Sequence, residues 1–218
     1  MKREIRNTIY SKVCDRLRGK IISGAYPPGR RLKMVDLVRE FGISAMPIRE
    51  ALQQLQGEGL VTIDPHRGAR VRQVDRHFVI MVHDLRTAIE CMLGRKACMK
   101  ITPNGIEAAE KIQRKYDRAV EERDAAKMVA ANLRFHELIY DHAGNSLALQ
   151  VLKTHSALIR GIRTRFGYTR GRPEQVCREH RRIIEALRRR DPRQLEKALW
   201  EHCQNAATDF INLFEENS

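Results

Sequence analysis

Near residue 75 the hydrophobic periodicity of this chain changes once and does not change back. Just before that point, GLVTI (59–63) and ARVRQV (69–74) alternate apolar and polar residues, and DPHRG between them supplies turn chemistry. That pattern predicts a two-stranded hairpin. After it, strand signals disappear. Apolar residues recur at helical spacing over roughly 77–100, 104–122, 125–142, 146–166, 173–189 and 191–214. The breaks fall at Thr102-Pro103, Arg123-Asp124, Gly144-Asn145, Gly167 to Pro173 and Asp191-Pro192. Helices joined by such short connections lie antiparallel, so this part reads as an all-helical six-helix antiparallel bundle.

Three helices are expected ahead of the hairpin. The first covers 3 to about 22, with Ile5, Ile9, Val13, Leu17 and Ile21 near helical spacing. SGAYPPGRRL breaks it, MVDLVREF forms a short second helix, and Gly42 stops that one. The third begins in ISAMPIREALQQL (43–55). Ile48, Ala51, Leu52 and Leu55 share its apolar side; Ala45, Arg49, Gln53 and Gln56 share the other. Ser44 is an N-cap candidate. Pro47 is tolerated in a first turn but restrains Met46, which would delay the helix start by a residue or two. A short helix, a tight turn and a helix with small residues at its start form a helix-turn-helix layout. The fold class is therefore mainly α, in two domains, 1–74 and 75–218, with a short link near 73–77.

Formal net charge is +14, which points to a polyanionic partner. Residues 1–74 hold 15 Lys+Arg against 7 Asp+Glu, so the smaller domain is the more basic per residue. Cys14, Cys91, Cys98, Cys177 and Cys203 show no C-x-x-C spacing. This scatter argues against a disulfide framework and for a reducing, cytoplasmic setting. The start, MKREIRNTIYSK, is too charged for a secretory signal, and the longest purely apolar run, FVIMV, is far too short to span a membrane.

PPGRRL, LVREFGIS, MPIREALQQLQGEGLV and PHRGARV resemble the DNA-reading domain of GntR-family regulators over residues 5–73. The resemblance implies an N-terminal winged helix-turn-helix. Arg31, Ser44, Ala45, Met46, Pro47, Arg49 and Gln53 would then serve the major groove or its backbone, and His66, Arg67 and Gly68 would form a wing tip in the minor groove. Many relatives carry an arginine after the serine; Ala45 and Met46 stand here instead, so base readout shifts towards Arg49 and the wing.

The bundle repeats one pattern. His136 shares a side with Asn132, Val129, Ile139 and Ala143; His180 lies among Val176, Ile183, Ile184 and Leu187; His202 lies among Leu195, Ala198, Leu199 and Ala206. Two readings are open: hydrogen-bonded core histidines, or imidazoles gathered for a divalent ion. Arg86 shares a side with Val79, Val82, Glu90, Leu93 and Ala97, and a guanidinium there needs an anion. Glu90 can supply it, or an effector carboxylate can. RGIRTRFGYTRGR (160–172) is either a solvated helix end or a steering patch for DNA flanks or acidic metabolites.

NLRFHELIYDHAGN, CREHRRIIEALRRRDP and His202 resemble the effector-binding FCD domain of the same family, in its shorter, VanR-like branch. That resemblance implies metal coordination, by zinc or nickel, through Asn132, His136, His180 and His202, with Arg86 gripping the effector. Many relatives have an aspartate at the first of these positions; the amide of Asn132 brings no charge, which weakens metal binding or leaves an anionic ligand to complete the site. The expected protein is a homodimeric, operator-binding regulator tuned by a small organic acid, with no catalytic residues. Its rivals are a metal-dependent hydrolase and an effector-independent DNA binder. Against the hydrolase, Glu137 and Glu179 are expected to point away from the histidines.

Overall fold

The computed structural model describes residues 2–72 and 75–216. The chain divides into two compact units, residues 1–74 with Ala157–Arg165, and Asp75–Ser156 with Phe166–Ser218. The end of the link, Gln73 and Val74, and the side chains of Ile5 and Ile9 lie outside the described residues.

In the N-terminal unit the elements run α1 (Lys2–Ile22), β1 (Arg31–Leu32), α2 (Met34–Phe41), α3 (Ala45–Gly57), β2 (Val61–Asp64) and β3 (Gly68–Val71). The hairpin expectation needs one addition. β1 pairs antiparallel with β3, so the sheet has three strands in the order β1-β3-β2. Two residues are too few to show alternation in a sequence; the strand exists because Val71 N–H donates to Arg30 C=O and Gly29 N–H to Val71 C=O. α2 ends on Gly42, at φ +66°, a conformation that glycine adopts without steric penalty.

α3 packs on α1 through Ile48, Ala51, Leu52 and Leu55, all buried together with Leu17 of α1. Arg18 grips the buried Glu58 with two parallel hydrogen bonds, Nε to Oε2 at 2.8 Å and Nη2 to Oε1 at 2.7 Å. This fork fixes the end of α3 against α1. α3 starts at Ala45 with no delay, so Met46 is already helical before Pro47. Proline at this point removes an N–H that has no intrahelical acceptor.

The helical unit consists of α4 (Arg76–Lys100), α5 (Pro103–Glu121), α6 (Ala125–Asp141), α7 (Ser146–Phe166, whose last turns group with the first unit), α8 (Arg172–Arg189) and α9 (Pro192–Glu216). Asp75, Thr102 and Asp124 cap α4, α5 and α6, each accepting a backbone N–H three residues on. α4 packs along α9, where Gly94 allows the closest approach: a Cβ there would stand 2.1 Å from Leu199 Cδ1. Leu93, Ala97, Phe135, Ile139, Ile183, Leu187, Leu195 and Leu199 form the main core. All five cysteines are buried and free.

Candidate metal centre and nucleic-acid interface

α6, α8 and α9 each deliver a histidine to one point in the core. The ligand atoms of His136, His180 and His202 lie within 4.8 Å of one another, and all three residues are buried. Placement follows from helical spacing: each histidine occupies a core-facing position of its helix, so packing the helices brings the rings together.

The outer ring nitrogens decide what the inner ones can do. His180 Nδ1 meets Gln113 Oε1 at 2.6 Å, and the Gln113 amide is oriented by its own bond to Asp117 Oδ1. His202 Nδ1 meets Glu179 Oε2 at 2.7 Å. A carboxylate and an amide oxygen can only accept, so both Nδ1 atoms carry the proton. His136 Nδ1 meets Tyr140 Oη at 3.2 Å, and Tyr140 donates to Glu90 Oε2 at 2.8 Å. Burial and the neighbouring Glu90 raise the Tyr140 pKa well above its ordinary value, so that hydroxyl keeps its proton for Glu90 and accepts from His136. In the neutral form of the rings, which a metal ligand requires, all three Nε2 atoms are then lone pairs facing inward.

Such an arrangement is unstable by itself. His136 Nε2 and His202 Nε2 are 3.0 Å apart, a repulsive contact for two lone pairs. His180 Nε2 is buried with no hydrogen-bond partner. One proton can bridge a pair of nitrogens but not serve three. A cation can, and nitrogens sharing an ion at about 2.0–2.1 Å stand roughly 3 to 3.5 Å apart. Burial, followed by the other imidazoles, lowers His136 to about 3 and His180 well below the ordinary range, so both rings stay neutral, as ligands must be. The donor set therefore fits a divalent ion of borderline softness.

Around the rings the charges cancel in pairs. Arg172 Nη1 grips both oxygens of Glu179, at 2.8 and 2.9 Å, and Asn205 adds a third bond to that carboxylate. Arg86 Nη2 lies 2.7 Å from Glu90 Oε1, and its Nη1 donates to Leu152 C=O at 3.2 Å. Burial opposes ionisation of Glu90, but the Arg86 guanidinium outweighs it and holds the carboxyl at about 2.

Several expectations are corrected here. Glu179 does not point away: it is buried and orients His202. Its neighbour in sequence, His180, faces the same core because the wide apolar side of α8 takes in both positions. Glu137 does stay on the surface, paired with Arg134 and Lys153. Arg172, at the end of the arginine-rich 160–172 stretch, is not solvated, and Arg163 is buried too. Of the two partners open to Arg86, Glu90 is engaged. Asn132 is half-buried one turn before His136. Gln113, Tyr140, Glu179, Arg172 and Asn205 escaped sequence reasoning. Polar residues interrupting apolar stripes were the available signal.

The expected DNA face lies on α3, β1 and the β2–β3 turn. Arg31, Ser44, Arg49, Gln53, His66, Arg67 and Gly68 are exposed, as is Met46 at 55%, and Ala45 is half-buried. Pro47 is buried, so its ring packs inward and cannot itself face a groove. Ser44 occupies the N-cap position without a side-chain capping bond, which leaves its hydroxyl available to an outside partner. At the turn, Asp64 Oδ1 accepts from His66 N–H and Arg67 N–H, at 2.8 and 3.0 Å, and Gly68 takes φ +74°. That Asx turn presents Arg67 at the tip.

Residues 81–205 match the FCD domain family, and residues 9–71 match the family of bacterial regulatory proteins called gntR. The chain is 28% identical to the HTH-type transcriptional repressor RspR of Escherichia coli over 93% of its own length and 89% of that protein. It is also 28% identical to the probable D-xylose utilization operon transcriptional repressor of Paenarthrobacter nicotinovorans, covering 92% of this chain and 88% of that one. Among solved structures, Escherichia coli McbR/YncC shares the fold with a TM-score of 0.70 at 20% identity, over 96% of this chain and 99% of the other.

Proposed function

The chain belongs to the GntR-family transcriptional regulators that carry an FCD domain, and from that premise we propose that it is a homodimeric, metabolite-responsive operator repressor. The observation that carries the sensing part is the convergence of three buried imidazoles whose inner nitrogens no single proton can serve at once. His136, His180 and His202 hold a divalent ion, zinc or nickel, and Asn132 is the fourth protein donor. When bound, that ion is a Lewis-acidic anchor for a carboxylate. Charge supports the ligand class. Arg172 with Glu179 and Arg86 with Glu90 already balance, so a divalent ion among neutral donors leaves two positive charges uncompensated in the core. A small carboxylate offsets part of this. Arg86 recruits it by dividing its donors between Glu90 and the ligand.

Repression follows the two named relatives. α3 enters the major groove with Ser44, Ala45, Met46, Arg49 and Gln53 at its surface, and the wing tip at His66, Arg67 and Gly68 enters the minor groove. Arg31 contacts the phosphate backbone. Met46 brings an apolar surface where an arginine would read guanine, which suits a thymine methyl group. A ligand regulates only if the DNA-competent and incompetent states bind it differently, so the carboxylate must alter the separation of the two DNA-binding units.

The hydrolase alternative has no support in the geometry. Glu90 and Glu179, the carboxylates beside the cluster, lie on the Nδ1 side of the rings and are committed to arginine. The reading is tested with duplexes selected from a random library and a panel of small carboxylates, each with and without zinc. Zinc should bind at one per chain, be lost in His136→Ala, and make DNA affinity carboxylate-dependent. Failure to select any duplex sinks the regulator. Affinity that ignores every carboxylate, with zinc bound, sinks the sensor.

A further inference from the structure

We infer that the outer face of the small sheet carries a two-arginine site for one phosphate of the DNA backbone, and that Arg70 is the second half of it beside Arg31. The inference rests on the DNA-binding reading above and deepens it. Strand register builds the site. Across β1 and β3, Leu32 pairs with Ala69 and Arg31 with Arg70. Side chains alternate between the faces of a strand, and directly opposed residues share a face. Leu32 and Ala69 are buried, so theirs is the inner face. Arg31 and Arg70 stand on the outer one, and both are exposed. β2 continues the row with the exposed Thr62, which pairs with Arg70. The row holds two positive charges and a hydroxyl.

Two like charges directly opposite one another destabilise a sheet, because their Cβ atoms stand only about 4.5–5.5 Å apart. Among the described residues neither guanidinium meets a carboxylate that would offset this. Arg30, next in sequence, shows the contrast. Its guanidinium lies 4.1 Å over the Tyr26 ring and donates to Ala25 C=O at 3.1 Å, so it is occupied within the protein. Arg70 uses Nη1 alone, donating to Gly29 C=O at 3.2 Å. That bond holds its guanidinium beside β1 and leaves Nε and Nη2 to an outside acceptor. Two guanidiniums side by side, one of them anchored, suit the oxygens of a single phosphate. The wing identifies whose phosphate it is. The tip at His66 and Arg67 runs directly into β3, and Arg70 lies two residues beyond Gly68, roughly 7 Å along the strand. A tip entering the minor groove sets this part of β3 beside the backbone that borders the groove.

Fluorescence anisotropy of the full chain on a labelled duplex, at several salt concentrations, tests this. A phosphate contact is independent of sequence, so at low salt any duplex reports it, whether or not an operator is found. Arg31→Ala and Arg70→Ala should each weaken binding by about tenfold. The double variant should lower the slope of log affinity against log salt by about 0.9, the value for one shared phosphate. Arg178→Ala, on the exposed side of α8, removes the same charge elsewhere and should change neither. Without DNA, each single variant should keep or raise Tm, since the opposed charges are relieved. A double variant with the wild-type slope overturns the site, and a slope lowered by about 1.8 overturns the shared phosphate. An equal loss in Arg178→Ala reduces the effect to overall charge, and a lowered Tm in the double variant assigns the arginines to the sheet; either overturns the inference. A wild type that binds no duplex sinks the DNA-binding reading as well, whereas normal wild-type binding with an unmoved double variant sinks this inference alone.

Discussion

The two units handle polar groups in opposite ways. The N-terminal unit buries the Arg18–Glu58 pair as a structural clasp and leaves Arg49, Gln53, His66 and Arg67 in solvent. In the helical unit the polar groups sit inside: three imidazoles, Tyr140, Gln113, and glutamates paired with Arg172 and Arg86 lie within or against the apolar core. DNA is a large, rigid polyanion, and recognition needs side chains that protrude from a firm scaffold. A small ion with an acidic ligand needs a site that strips water and holds charge in fixed geometry, which only an interior provides. Function and stability should therefore separate in the first unit and remain coupled in the second.

The largest expected effect tests that coupling. Glu179→Ala leaves Arg172 buried without its counter-charge and His202 without its orienting acceptor. We expect a loss of about 3–5 kcal/mol of stability in the metal-free protein and a fall in zinc affinity of about 10- to 100-fold. Thermal unfolding and zinc titration on the same variant check both. A variant that loses zinc affinity with an unchanged Tm would show the site to be energetically separate from the core, and the contrast between the units would fail.

Arg49→Ala is the counterpart in the first unit. Arg49 is exposed on α3, so its loss should leave stability within about 0.5 kcal/mol of wild type. Affinity for a selected duplex should nevertheless drop, with the slope of log affinity against log salt reduced by about 0.9 for one lost phosphate contact. Fluorescence anisotropy at several salt concentrations measures the slope. An unchanged slope with weaker binding would move Arg49 from phosphate to base contact, and a lowered Tm would break the separation.

The smallest effect sets one substitution in both units. Gly19 lies in α1, and a Cβ added there would meet nothing within 4 Å, so Gly19→Ala should stabilise by about 0.5–1 kcal/mol through helix propensity. Gly94 lies in α4 against the fully buried Leu199, and overpacking there costs about 1–3 kcal/mol, which outweighs the same propensity gain. Differential scanning calorimetry should show opposite signs. Two stabilising substitutions would mean that Leu199 has a second rotamer within reach.

Much of this was legible in the residues alone. Helix periodicity placed the elements to within a residue or two, since the apolar stripe of α2, α3, α5 or α8 is set by local spacing and by caps such as Gly42, Thr102 and Asp124. The same spacing aimed His136, His180 and His202 inward, because a residue's side of its helix is fixed by its number. β1 was not legible, since it exists only through its pairing with β3. Neither was the support around the histidines. That Gln113 of α5 meets a ring from α8, that Glu90 of α4 reaches Tyr140 of α6, and that Glu179 turns to His202 are contacts between helices far apart in sequence. The chain by itself determined which residues face the core; only the packing of helices against one another decided which of them touch, because relative helix position depends on all the side chains between them at once.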